Sequence, residues 1–418
     1  MNQVSEVKAP GNLDPTFGSA GVVELSGGVK LCTSQPNKKL LIASKVAAYD
    51  PINFTRLNEA GVLDESFGEN GVVKLPVGQS PFFPSQMKML KNGRFLTLGP
   101  HVGASPDNLY VVRLLEDGQL DSTFGEGGKV TLKASGVTGA GKNATFLSGR
   151  DEGLAENVVF FGGAWLAISE ENEKIYVSCS ILSDAGSTAV IFCLDEAGLL
   201  DPSFNGGYVA IEQPNGNHIR SGCLAAHRDG VLFGGSFLAN GSGDTYGTAF
   251  VIRYDQGGRV DTSFGDSGTV IVPSEGGRKS LLTSLAVREV DGMIVASGES
   301  FKDGFFEGVL TALNANGGFN LIFNNGKPLY GAFLRNLRFN ESALQQQSII
   351  VTGLSEDFYL MIARFNFDGS LDERFGGKGW VVFRDLATSK YFNSSLTADN
   401  KIVVIGSVAT NFAVRYLG

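Results

Sequence analysis

Cysteine and histidine are scarce in this chain, with four and three copies in 418 residues. Cys32, Cys179, Cys193 and Cys223 form no CxxC pair and are too few for a disulfide scaffold, so they read as buried free thiols. His101, His218 and His227 are too scattered for a histidine-based metal centre, and neither a metal nor a cofactor is expected. Lysine and arginine number 34 against 43 aspartates and glutamates, a net charge of −9. That balance argues against a non-specific binder of nucleic acid or of an anionic membrane. Long apolar runs are missing too: the longest, residues 158–168, is too short to cross a bilayer. Residues 1–10 lack the basic-then-apolar pattern of a signal peptide, which leaves the cytoplasm or a leaderless export route. No nucleophile elbow, HExxH helix, Walker loop or long helical period is present.

What the chain has in excess is glycine, 56 residues, and one repeated phrase. The phrase reads GNLDPTFGSAGVVEL from Gly11, GVLDESFGENGVVKL from Gly61, GQLDSTFGEGGKVTL from Gly118 and GLLDPSFNGGYVAI from Gly198. It continues as GRVDTSFGDSGTVIV from Gly258, GGFNLIFNNGKPLY from Gly317 and GSLDERFGGKGWVVF from Gly369. The intervals between the seven aspartate positions are 50, 57, 80, 60, 59 and 52 residues, Asn320 standing in at the sixth. Between phrases lie short β-rich segments and hairpin turns such as Lys91-Asn92-Gly93 and Arg228-Asp229-Gly230. Each unit therefore reads as four strands.

The two ends choose among β-arrays. The chain opens on a phrase with no strands before it and closes on strands with no phrase after them. Joined, they make one further unit, and the wrapped interval from Asp372 to Asp14 is 60 residues. An open solenoid has no use for split ends, whereas a ring is closed by them. The expected fold is all-β, a seven-bladed β-propeller of four-stranded blades occupying residues 1–418 as one domain. Residues 21–25 supply the outer strand of the last blade, and residues 133–157 form an insert. The phrase G-x-L-D-x-[ST]-F-G-x-x-G-x-V resembles the delta-60 repeat of bacterial proteins, a β-propeller-type repeat, from Gly11 to the C-terminus. The resemblance implies an architecture and carries no activity with it.

The repeated residues read as scaffold. The phenylalanines Phe17, Phe67, Phe124, Phe204, Phe264, Phe323 and Phe375 suit packing between blades better than a row of exposed sugar platforms. The next residue is glycine in five units and Asn205 or Asn324 in the other two. That pattern points to left-handed backbone, not to close packing, so Gly265→Asn is expected to be neutral. One carboxylate per blade cannot make a calcium site. Each Asp instead suits an Asx-turn, with a salt bridge to the arginine eight residues earlier: Arg56, Arg113, Arg253 and Arg364, with Arg415 across the closure. The third unit has Cys193 there, and the sixth phrase has lost both partners, to Ala312 and Asn320.

Function is expected where the units differ. The long loops fall at residues 99–108, 133–157, 212–219 and 237–248, in blades two to four. The insert is expected to act as a mobile rim or lid that stays out of the blade cores. Inner strands are expected to start at Val29, Phe83, Phe161, Arg220, Ser280, Arg335 and Tyr391. Arg220, Arg335 and Tyr391, with His101, His218 and Tyr246 from the loops, form the candidate binding set, and Arg220 is its centre because a guanidinium grips a carboxylate bidentately. The reading is a monomeric, non-enzymatic binding module for a protein or glycan partner. The alternative is a hydrolase or lyase acting on a saccharide or acidic small molecule in the channel mouth. A buried carboxylate or histidine facing Arg220 or Arg335 across the channel would favour that alternative.

Overall fold

The computed structural model describes residues 9–47, 49–76, 78, 82–101, 107–147, 164–183, 186–212, 218–239, 246–383, 391–407 and 410–418. Seven antiparallel sheets follow one another around a ring; five have their strands in sequence order from the axis outwards, one ends on the N-terminal strand, and one carries two strands on its inner edge. We number the blades 1 to 7 by their innermost strands and letter the strands a to d outwards. The expected propeller is therefore found, and the closure is the expected one. In blade 7, Tyr391–Leu396, Ile402–Ser407 and Asn411–Tyr416 come from the C-terminal end, and Val22–Leu25 completes the sheet in register with residues 411–414.

Strands b and c are buried on both faces because each blade is covered by two neighbours. They read as near-continuous apolar runs, as in Leu40–Ser44, whose five residues are all buried, rather than as an alternation. Outer strands such as Val72–Leu75 are half exposed and mix valine with lysine. The four cysteines are free and buried, and burial pushes the Cys179 and Cys223 thiols far above their usual range.

The repeated phrase builds one device in most blades. Its Asp accepts the backbone N–H two residues on in blade after blade, for instance Thr16 N to Asp14 Oδ1 at 3.1 Å and Ser263 N to Asp261 Oδ1 at 3.0 Å. The other carboxylate oxygen takes the arginine: Arg56 to Asp64 at 2.6 Å, Arg113 to Asp121 at 2.8 Å, Arg253 to Asp261 at 2.8 Å, Arg364 to Asp372 at 2.9 Å and Arg415 to Asp14 at 2.8 Å. Each of these guanidinium groups lies over the phenylalanine of its own phrase, 4.4 Å from the Phe17 ring centroid in the case of Arg415 and 5.1 Å from that of Phe375 in the case of Arg364. The seven phenylalanines are fully buried and pack against the following blade, as Phe17 does against Leu40 and Ile42. Arg56 and Arg253 also donate to Glu116 O and Ala315 O in the next blade's outer turn, at 2.9 and 2.6 Å. Blade 3 keeps its Asp without an arginine: Lys174 supplies the cation to Asp201 at 3.0 Å, and the Tyr176 ring meets Phe204 edge-on in the guanidinium's place.

The residue after phenylalanine has positive φ in all seven blades, between 45° and 62°. The expectation that close packing plays no part there is overturned. A Cβ on Gly265 would lie 2.5 Å from the Thr269 carbonyl oxygen, and one on Gly18 would lie 2.2 Å from that of Val22. Asparagine occurs only where the loop to the next glycine is one residue shorter, Phe204 to Gly207 and Phe323 to Gly326. There its Nδ2 reaches back to the loop, Asn205 to Tyr208 O at 3.1 Å and Asn324 to Lys327 O at 3.2 Å. Residue type and loop length change together, so the two residues are not interchangeable in place.

The insert is also corrected in part. Thr145–Phe146 pairs with residues 181–182, adding a short strand to blade 3. Ala134, Val137, Ala144 and Phe146 join the core between blades 2 and 3. The first half of the insert is therefore core, because its small apolar residues fill the space above the inner strand Ala164–Ser169. Residues 148–157, with Phe161, lie outside the described residues.

Two measurements test this scaffold. Gly265→Asn and Gly265→Val should both destabilise, each by about 1–3 kcal/mol in chemical unfolding, whereas Asn205→Gly should cost under about 1 kcal/mol. A neutral Gly265→Asn would refute the steric account. The second is acid melting. Burial alone would raise the pKa of Asp14, but hydrogen bonds from Thr16 and Lys401 and the charge of Arg415 outweigh it and hold the carboxyl far below its usual range. Asp64, Asp121 and Asp201 are lowered against burial in the same way, and Asp261 and Asp372 are lowered first by hydrogen bonds from Ser263 and Arg374. Because the folded-state values are depressed, this stabilisation is complete above the ordinary carboxyl pKa of about 4 and is lost as pH falls further. Calorimetry should therefore show Tm dropping steeply below about pH 4, and less steeply in Asp14→Asn.

Candidate functional site

The strands alternate in direction, so the b–c loops and the links between blades share one face, the loop face, and the a–b and c–d turns share the other, the turn face. On the loop face the sequence candidates separate. Arg220 lies near the start of His218–His227, strand a of blade 4, and its guanidinium sits 5.4 Å from the centre of the Tyr246 ring. Tyr246 ends the b–c loop of the same blade. The next residue, Gly247, pairs with Ser280 of blade 5 and accepts its N–H at 2.7 Å, which carries the tyrosine across the inner edge of blade 5. There the Tyr246 hydroxyl donates to Glu299 Oε2 at 2.6 Å.

Glu299 was not among the sequence candidates. It sits in Ile294–Lys302, strand b of blade 5, and is completely buried, with Oε1 unpartnered among the described residues. Burial pushes its carboxyl pKa up, against the opposing influence of Arg338, Tyr246 and Arg220. Burial, followed by the charge of Glu299, pushes the Tyr246 phenol far above its usual range. Arg338, also missed, opens strand a of blade 6 and lies 3.6 Å from the Phe306 ring centroid. Phe301 and Phe306 pair across blade 5 and pack on Tyr246, at 6.3 and 5.6 Å between centroids. Two guanidinium groups from blades 4 and 6, both half-buried, thus converge on one sealed carboxylate and one tyrosine. The sequence did carry a signal for Glu299: it is the one acidic residue in an otherwise small and apolar run, IVASGESF.

Arg335 is corrected. It does not start the inner strand, which begins at Arg338. Arg335 stands exposed in the preceding turn, 3.9 Å from Glu356 and 5.2 Å from the Phe305 ring centroid. The strand starts later because residues 332–337 form a bend anchored by Leu337 in the core between blades 5 and 6. His101 belongs to blade 2, where its Nδ1 lies 3.3 Å from the Tyr110 hydroxyl, two blades from Arg220. His218 lies two residues before Arg220 on the same strand, with Nδ1 buried and unpartnered among the described residues. Tyr391 opens strand a of blade 7 and pairs with Ser407, and its side chain lies outside what is described. Residues 102–106, 213–217 and 240–245 of the long loops, Asp244 included, lie outside the described residues.

The axis itself holds a cavity of about 250 Å³. In its wall Glu341 of blade 6 accepts Asn393 Nδ2 at 2.7 Å and Ser394 N at 2.8 Å, and Asn393 Oδ1 accepts Cys32 N at 2.8 Å. These bonds stitch blade 6 to blade 7 and blade 7 to blade 1. No group of three or more His, Cys, Asp or Glu suited to a metal occurs among the described residues.

Comparison with known proteins agrees on the fold. A family described as "Domain of unknown function (DUF5122) beta-propeller" matches residues 101–124. No curated protein matches the chain. Among solved structures, a puromycin-hydrolyzing peptidase from Mycobacterium tuberculosis aligns with a TM-score of 0.51 at 10% identity, over 97% of this chain and 54% of that one. Hydrazine synthase from Kuenenia stuttgartiensis aligns with a TM-score of 0.50 at 13% identity, over 97% and 95% of the two chains. The polysaccharide lyase Uly1 aligns with a TM-score of 0.49 at 11% identity, over 98% and 92%. At identities this low, the alignments with the peptidase and with hydrazine synthase speak for the fold alone.

Tyr246→Phe tests the buried cluster. It removes the hydrogen-bond donor that the fully buried Glu299 carboxyl has among the described residues and should cost about 1–3 kcal/mol of stability. In a Glu299→Met background, which has no acceptor for the hydroxyl, the same change should cost measurably less, and equal costs in the two backgrounds would mean that the pair is not coupled.

Proposed function

We propose that this propeller is a non-enzymatic recognition module that takes an acidic group of a protein or glycan partner on its loop face, between blades 4 and 6. One observation carries the reading: the charges of Arg220 and Arg338 act on the same buried carboxyl from two blades, each guanidinium lying near an aromatic ring and each arginine still partly exposed. The cation–π contacts restrict the two guanidinium groups in advance, which lowers the entropy lost when a carboxylate or sulfate docks. Burial raises the Glu299 pKa while both arginines oppose it, and two guanidinium charges set against one carboxyl group leave a net positive field toward solvent in either form of the acid. We also read the whole chain as a monomeric array of delta-60-type repeats, with no affinity for nucleic acid. Arg335 contributes to the rim of this face, on which the backbone of Tyr391 opens its strand in blade 7, and His101 and His218 lie beyond its centre.

The catalytic alternative has a buried carboxylate beside Arg220 in its favour. Glu299 comes from the adjacent blade rather than from across the channel, and no part of it is exposed to a substrate. Tyr246 is equally unsuited to be a base, because burial and the neighbouring carboxylate hold its proton on.

Binding to polygalacturonate and to neutral dextran, compared by calorimetry, tests the reading together with a panel of acidic peptides. At least one polyanionic probe should bind and the neutral one should not, with affinity falling as salt rises. Arg220→Gln and Arg338→Gln should each weaken binding about tenfold or more with little change in Tm. Cleavage of any probe, or binding unaffected by both substitutions, would overturn it.

A further inference from the structure

The axial cavity of about 250 Å³ continues towards the turn face, where Lys88, Leu166, Leu224 and Leu285 line both it and a wider cavity of about 690 Å³ among the a–b turns. The smaller volume is below the usual range for drug-sized ligands, about 300–1,000 Å³, and suits a smaller molecule. Inner strands of all seven blades form its wall, and their register fixes the heights of the side chains. Gln86, Ser284, Glu341 and Asn393 stand at one level, each paired with the residue just before a strand-b glycine: Gly99, Gly298, Gly353 and Gly406. Leu224 and Leu285 stand one residue nearer the turn face, and Lys88 stands two residues nearer.

Three residues at the Glu341 level stitch the ring. Ser284 Oγ accepts Ser342 N at 3.0 Å, Glu341 Oε2 accepts Ser394 N at 2.8 Å and Asn393 Oδ1 accepts Cys32 N at 2.8 Å, each from the following blade. A hydroxyl and an amide make this stitch without a charge, so the stitch does not account for the carboxylate of Glu341. Two further donors hold that carboxylate in place, Asn393 Nδ2 on Oε1 at 2.7 Å and Ser394 Oγ on Oε2 at 2.5 Å. Three of about four lone-pair positions are thus filled, all by neutral donors. Glu341 is half-buried and makes no ion pair among the described residues. Lys88 is the one cation among the described residues of the wall; it is exposed and likewise in no ion pair among them. Blades 2 and 6 stand as far apart as a ring of seven allows, and two residues of strand rise add about 7 Å.

We propose that the axial cavity binds a small organic zwitterion whose ammonium and carboxylate are separated by a short hydrocarbon chain. The ammonium donates to Glu341 Oε1, the carboxylate meets Lys88, and the hydrocarbon lies along Leu166, Leu224 and Leu285 between the two. One acid and one base, held apart in a wall whose other described residues are neutral, complement a molecule that carries both charges and disfavour one that carries either alone. Glu341 supplies a single carboxylate, too little for a divalent metal ion. The site does not depend on the arginine cluster of the loop face.

The probe is 6-aminohexanoate, with hexylamine and hexanoate as its single-charge counterparts, titrated into the full chain while the tryptophan indole signals are followed by NMR. The chain has two tryptophans: Trp165 lines the cavity, Trp380 lies in the outer strand Trp380–Phe383 of blade 6, and Trp165→Phe assigns the signals. The zwitterion should shift the Trp165 signal and leave that of Trp380 in place, and each counterpart should bind about tenfold more weakly or worse. Glu341→Gln keeps an oxygen for Ser394 and removes the charge, so the zwitterion should bind about tenfold more weakly while hexanoate is unaffected. Lys88→Gln, at an exposed position, should abolish the preference for 6-aminohexanoate over hexylamine, and it carries the test if Glu341→Gln does not fold. No Trp165 shift up to about 10 mM 6-aminohexanoate, equal affinity for the three probes, an affinity that survives Glu341→Gln, or a preference that survives Lys88→Gln would overturn the proposal.

Discussion

A carboxylate that has lost its water must be met on every lone pair, and the blade-to-blade packing of this protein is organised around that requirement. Asp14 shows the arrangement in full: Thr16 supplies a hydroxyl and an amide to one oxygen, and Arg415 and Lys401 supply cations to the other. A buried ion pair satisfied in this way adds little net stability over an apolar substitute, but breaking one half leaves a charge stranded. Its contribution is therefore to specificity. In Arg56, Arg113 and Arg253 the guanidinium also lies over its phenylalanine and, through Nη1, holds the next blade's outer turn, so one group sets the geometry of three elements. Where that group is absent the packing is solved differently, by Lys174 and Tyr176 in blade 3. In blade 5, Asn320 bonds to Asn314 at 2.9 Å instead.

The two openings of the ring carry different chemistry for the same geometric reason. On the loop face, connections vary in length and can cross from blade to blade, as residues 246–247 do when they pair with Ser280. That crossing brings residues of blades 4, 5 and 6 onto one carboxylate. On the turn face the a–b turns are short and the c–d connections repeat one phrase, so the chemistry that varies comes from the ends of the inner strands, and the wall combines leucines from strand interiors with charges from turns.

Glu299 and Asp14 show how context sets the fate of a buried acid. Asp14 is surrounded by donors and cations and stays ionised. Glu299 has one hydroxyl, more distant arginines and complete burial, and its pKa is pushed up instead. Residue type alone predicts neither outcome.

The repeat, its period and the wrapped interval from Asp372 to Asp14 were enough to derive a closed ring of seven four-stranded blades, because periodic sequence forces periodic packing. The Asp–Arg pairs were also legible, since a fixed spacing of eight residues brings the two side chains to one end of a blade. The left-handed backbone after each phenylalanine could be read from the glycine and asparagine pattern. Its crowding could not, because that depends on where the Thr269 carbonyl returns in three dimensions. The start of strand a in blade 6 at Arg338 rather than Arg335 was decided by Leu337 finding the core. The meeting of Arg220, Tyr246, Glu299 and Arg338 was likewise a product of tertiary structure alone: these residues span 119 positions of chain and share no motif. Only the curvature of the ring and the crossing of one loop over a neighbouring blade bring them together.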